Sequence, residues 1–95
     1  MYNNTRFPTQ PPRRDTLTAR AARVGARLAD GAYRAWQFAQ IECDLALVAW
    51  RVAGPQLGAA AHQAYRAALD REEAAARDFE ELCRVAGGLA SAEAA

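Results

Sequence analysis

WQFAQIECDLALVAWRVA, residues 36–53, decides how this chain folds. Advancing 100° per residue, as an α-helix does, sets Phe38, Ile41, Leu45, Val48 and Val52 along one stripe. Ala39, Ala46 and Ala53 fall along a second stripe, about 100° round the same helix. A helix packed on one neighbour needs a single apolar stripe. Here the polar remainder is only Gln37, Gln40, Asp44 and Arg51, so the segment predicts two neighbours.

Traced back toward the N-terminus, the alanine stripe becomes a seam of Leu17, Ala21, Val24, Leu28, Ala32 and Ala35, mostly small side chains that let a partner helix come close. The other stripe changes character and holds Arg20, Arg23, Arg27 and Arg34. Asp15 can cap the first-turn amides, which predicts helix 1 over about 15–53. Residues 1–14, MYNNTRFPTQPPRR, have three prolines and no periodicity and are expected to form a flexible arm. Pro8 to Arg13 fit the short pattern of polyproline ligands, a pattern common by chance, and Tyr2 and Phe7 offer an alternative way to dock the arm.

Traced forward, Gly54-Pro55-Gln56-Leu57-Gly58 breaks the helix. Gly54 can adopt the left-handed conformation that ends helices, and Pro55 has no amide hydrogen with which to continue one. So short a connection implies antiparallel neighbours rather than one kinked helix. Helix 2 is predicted over about 57–86, with Tyr65, Ala68, Leu69, Ala75, Ala76, Phe79, Leu82, Cys83 and Ala86 on one face. Charged residues from Arg66 to Arg84 fill the other, several of them as i,i+4 pairs. Gly87-Gly88 is expected to end the helix and leave 87–95 as a flexible tail.

A fold at Gly54 puts residue i level with 110 − i. The first forty residues carry seven Arg against two Asp, the remainder five Arg against nine acids. Arg20–Arg34 would then lie beside Glu72–Glu81 and set the register. The same arithmetic separates Cys43 and Cys83 by about 24 Å along the axis, too far for a disulfide.

Composition points the same way. Twenty-five of the 95 residues are alanine, which favours an all-α chain. A net charge of +1 gives no global field for nucleic acid or membrane, and all twelve basic residues are Arg. No secretory signal or uncharged apolar run of membrane-spanning length is present, so a soluble, cytoplasmic protein is expected.

Three constellations bear on chemistry. Glu42 and Glu72 intrude into apolar faces about one turn apart, as carboxylates do in di-iron bundles, but Leu45 and Ala75 stand where such a site needs histidine. The expectation is a buried pair satisfied by Arg34, Arg66 or a partner's Arg, with no metal or cofactor. His62 lies level with residue 48, within loose reach of Cys43 but without a third orienting group, and is expected near Trp50. Trp36, Trp50, Tyr65 and Phe79 are expected as core or subunit-contact aromatics.

The length, the helical hairpin and the Trp before the turn resemble the WXG100 class of small secreted hairpins, in architecture only. That class carries Trp-x-Gly in the turn, whereas Trp50 is followed by Arg51-Val52-Ala53-Gly54. Its tail signal, a Tyr with an acid four residues later, also fails, because Leu69 lies four after Tyr65.

The sequence thus predicts an all-α antiparallel hairpin that dimerises into a four-helix bundle through Phe38, Ile41, Leu45, Val48 and Val52. The expected function is non-enzymatic, an oligomerisation or protein–protein interaction module that pairs with itself or with a helical partner. The alternatives are a nucleic-acid or acidic-partner binder using Arg13, Arg14, Arg20, Arg23, Arg27 and Arg34, and a carboxylate metal site at Glu42 and Glu72.

Overall fold

The computed structural model describes residues 14–94, which form two helices packed against each other. Helix α1 spans Arg14–Val52 and helix α2 spans Gly58–Ala94, 39 and 37 residues respectively. At 1.5 Å per residue they are about 58 and about 56 Å long. Residues 1–13 of the expected arm, with Tyr2, Phe7 and Arg13, lie outside the described residues, and its last residue, Arg14, is instead the first of α1. Asp15 is already helical, so it sits inside the first turn rather than before it.

The turn works through proline rather than through a left-handed glycine. No described glycine has a positive φ, which corrects the expectation for Gly54. Instead the Ala53 amide donates to the Trp50 carbonyl at 3.2 Å, tightening the last turn of α1. Pro55 has no N–H to extend the ladder, and the Leu57 amide closes a β-turn on the Gly54 carbonyl at 3.1 Å. The Leu57 carbonyl then accepts from Ala61 at 2.9 Å and starts α2.

The two helices meet along seams that repeat every three and four residues. On α1 the seam is Thr18, Ala22, Gly25, Ala29, Ala32, Trp36, Ala39, Cys43, Ala46, Trp50 and Ala53. On α2 it is Ala61, Tyr65, Ala68, Glu72, Ala75, Phe79, Leu82, Ala86 and Leu89. A 3.5-residue spacing held over so many turns is that of an antiparallel coiled coil. The level expected from the sequence holds: Trp36 meets Glu72, and Trp50 meets His62.

The rotation of α1 differs from expectation. With Leu17 at 0°, the covered residues centre near 75° rather than 0°. Leu17, Val24 and Leu28 are left about half exposed, while Gly25, Trp36, Cys43 and Trp50 join the contact. The reason is size, because two indoles offer more apolar area to bury than the aliphatic residues they displace.

This rotation also corrects the proposed charge register. Arg20, Arg23 and Arg34 point away from α2, Arg27 lines the rim of a groove that Asp78 and Glu81 of α2 also line, and none of the four forms an ion pair within 4 Å. The pairs that do form are Arg71–Glu42 across the helices, with Glu42 half-buried, and the exposed Arg77–Glu73 and Arg84–Glu81 within α2, all individually weak.

Helix α2 does not stop at Gly87-Gly88 but runs to Ala94. The contact that carries it past the two glycines is at Gly25. A Cβ built there would lie 3.1 Å from Leu89 Cδ1 and 3.4 Å from Ala86 Cα. Leu89 therefore occupies the space that a side chain at residue 25 would take. Packing of this kind overrides the local cost of glycine in a helix.

The glycines give a stability test. Gly31 and Gly88 have nothing within 4 Å of an added Cβ. Gly31→Ala and Gly88→Ala should each raise stability by up to about 1 kcal/mol in denaturant unfolding. Gly25→Ala should gain less or lose, because Leu89 must move. Equal gains at all three positions would contradict the close approach at Gly25.

Candidate functional site

Two layers of aromatic side chains clamp the hairpin, with a stretch of small residues between them. In the middle, Tyr33, Trp36 and Phe79 form a triangle with ring centroids 5.2–6.1 Å apart. Near the turn, Trp50 packs on His62 at 4.5 Å and on Tyr65 at 5.7 Å. Ala39, Cys43 and Ala68, buried between the two layers, let the backbones draw together. These contacts bring Trp36 and Trp50 of α1 against Tyr65 and Phe79 of α2, with Trp36, Tyr65 and Phe79 half-buried and Trp50 still partly exposed.

Glu72 sits in this seam because Trp36 gives it a hydrogen bond. The indole Nε1 donates to Glu72 Oε2 at 2.6 Å across the two helices. The expected partners, Arg34 and Arg66, make no such contact with it. Glu42 lies 3.9 Å from Arg71 instead. Among the described residues no polar side chain is buried; Glu42 and Glu72 are half-buried, short of the buried pair expected, and His62 is half-buried beside Trp50 as expected. No three His, Cys, Asp or Glu among the described residues are grouped to hold a metal ion.

Cys43 is buried and Cys83 exposed, and both are free thiols. Burial pushes the Cys43 thiol above its ordinary value, and the carboxylates of Glu72 and Asp44 add to the effect. A raised thiol holds less thiolate at neutral pH and is a poor nucleophile. His62 is engaged with Trp50 and is not among the residues lining the recess around Cys43.

The candidate site is what α2 leaves bare. The stripe of Phe38, Ile41, Leu45, Val48 and Val52 centres near −100°, on the opposite side of α1 from α2. Phe38 is 62% exposed, Leu45 65% and Val52 76%. Leu57, in the turn at the same end of the hairpin, is also exposed. A single folded chain rarely leaves so contiguous an apolar line in water. Beside the N-terminal half of α1 runs a groove of about 630 Å³ floored by Ala32, Ala35 and Ala75, with Arg27 across from Asp78 and Glu81. No helix of the described residues is long and apolar enough to cross a membrane.

No family model, curated protein or solved structure matches this chain. The site therefore stands on its own geometry.

Two measurements check this geometry. Trp36→Phe leaves the half-buried Glu72 carboxylate without its donor and should cost about 1–3 kcal/mol, much of which Trp36→Phe with Glu72→Leu should recover. For Cys43, the folded chain keeps a proton that the unfolded chain releases above about pH 9. Stability should therefore fall as pH rises from that point toward the folded-state value, and Cys43→Ala should remove that share of the slope. In native protein a thiol reagent should modify Cys83 quickly and Cys43 slowly.

Proposed function

We propose that this chain is a small non-enzymatic interaction module. The face of α1 from Phe38 to Val52 docks a helical partner. A second hairpin of the same kind, or one from another protein, would make a four-helix bundle. The observation that carries this reading is the exposure of five large apolar side chains in one line on the far side of α1 from α2. Fully burying a large aliphatic or aromatic side chain contributes roughly 1.5–3 kcal/mol, and more than half of that is unclaimed at these positions in the single hairpin. The Cys43 thiol, kept protonated by its surroundings, supports the module over a cysteine nucleophile.

The test compares wild type with a Leu45→Glu, Val48→Glu double variant by light scattering and apolar-dye fluorescence. One supporting result is a wild-type mass that is a multiple of 10.3 kDa and falls to a single chain in the variant. The other is a wild-type monomer that binds the dye and loses it in the variant. A wild-type monomer that binds no dye at tens of micromolar would overturn the proposal.

A further inference from the structure

The uncovered face of α1 does not begin at Phe38. The line of positions continues toward the N-terminus in an unbroken 3.5-residue repeat, with arginine replacing most of the apolar side chains. Arg20, Arg27, Arg34, Ile41 and Val48 follow one another at intervals of seven. So do Val24, Gly31, Phe38, Leu45 and Val52. Every one of these ten residues is exposed, and none of the three arginines has an ion-pair partner within 4 Å. This is a second coiled-coil seam about 48 Å long, basic along one half and apolar along the other.

A second copy of this chain cannot satisfy that seam. In a parallel pair Arg20, Arg27 and Arg34 meet their own mates, like charge on like. In an antiparallel pair with full overlap the same arginines face Leu45, Val48 and Val52, and charge is buried against apolar surface. An antiparallel pair centred on Leu45 matches Phe38 with Val52, but it overlaps over only about 21 Å and leaves all three arginines beyond the partner's α1. Helix α2 offers no better match, because its outward face is charged from Arg66 to Arg84, with Asp70, Glu73, Glu80 and Glu81 among the arginines, and would set charge against Phe38–Val52. Residues 1–13 contain two Arg and no acid.

Resting on the function proposed above, we infer that the occupant is a helix of a different protein, with carboxylates along the half that meets Arg20–Arg34 and large apolar side chains along the half that meets Phe38–Val52. Charge complementarity then fixes the register, and burial of the apolar half supplies the affinity.

The test uses the full chain and synthetic 33-residue helical peptides. One pair carries Ile and Leu at the seam positions of one half and Glu at those of the other, with the acidic half first or last so that both directions are sampled. A matching pair carries Lys in place of Glu. One Glu peptide should bind at least tenfold more tightly than its Lys counterpart, and that advantage should shrink as salt rises. An Arg27→Glu, Arg34→Glu variant should reverse the preference, and Leu45→Glu should weaken both peptides. Equal affinity for Glu and Lys peptides would overturn the inference. So would tighter binding to phosphatidylglycerol vesicles or duplex DNA than to either peptide. A homodimer that buries the stripe and excludes the peptides would also overturn it, while leaving the interaction-module reading intact.

Discussion

Two helices share one seam, and everything else about this hairpin follows from which side of α1 that seam occupies. The contact line repeats every 3.5 residues and is built largely from Ala and Gly, so the backbones run close together over most of their length. Close approach limits how much apolar area each contact buries. Ala39, Cys43 and Ala68 are the only buried apolar side chains among the described residues, and all are small. Stability is therefore gathered over many layers of the seam and is not concentrated in a core.

The aromatic layers set the rotation that the small residues permit. Trp36 and Trp50 lie on the same side of α1, two heptads apart, and each finds rings on α2. Trp36 also satisfies Glu72, an otherwise costly intrusion into the seam. Because this hydrogen bond needs both helices at the right level, it discriminates against slipped registers as well as neutralising a cost. The same rotation carries the Phe38–Val52 stripe and the Arg20–Arg34 line to the far side of α1. The face left uncovered is thus a direct consequence of where the two indoles pack against α2.

Much of this was legible in the sequence. Alanine content and periodicity gave two helices, Pro55 gave the turn, and folding there gave the level at which Trp50 meets His62. The doubly apolar character of residues 36–53 was legible too, and one of its two stripes does remain uncovered. What was not legible was which neighbouring angle α2 would choose. The alanine seam is flanked by Leu17, Val24 and Leu28 on one side and by Trp36, Cys43 and Trp50 on the other. Periodicity places both sets without ranking them.

Three outcomes belonged to the tertiary structure. Only the Arg27–Arg34 part of the basic stretch is level with Glu80 and Glu81, and even there the side chains form no ion pair, because axial level follows from chain length whereas facing depends on rotation. Gly87-Gly88 reads locally as a helix end, yet α2 continues because Leu89 packs into the space left by Gly25, some sixty residues away in sequence. Glu72 looks locally like a carboxylate awaiting an arginine, and its donor is an indole on the other helix. The sequence by itself determined the elements, their order and the turn, since these rest on propensity, periodicity and a missing proline N–H. Rotation, the far end of α2 and the partner of Glu72 were decided by contacts between helices, whose energies depend on side chains that no local window contains together.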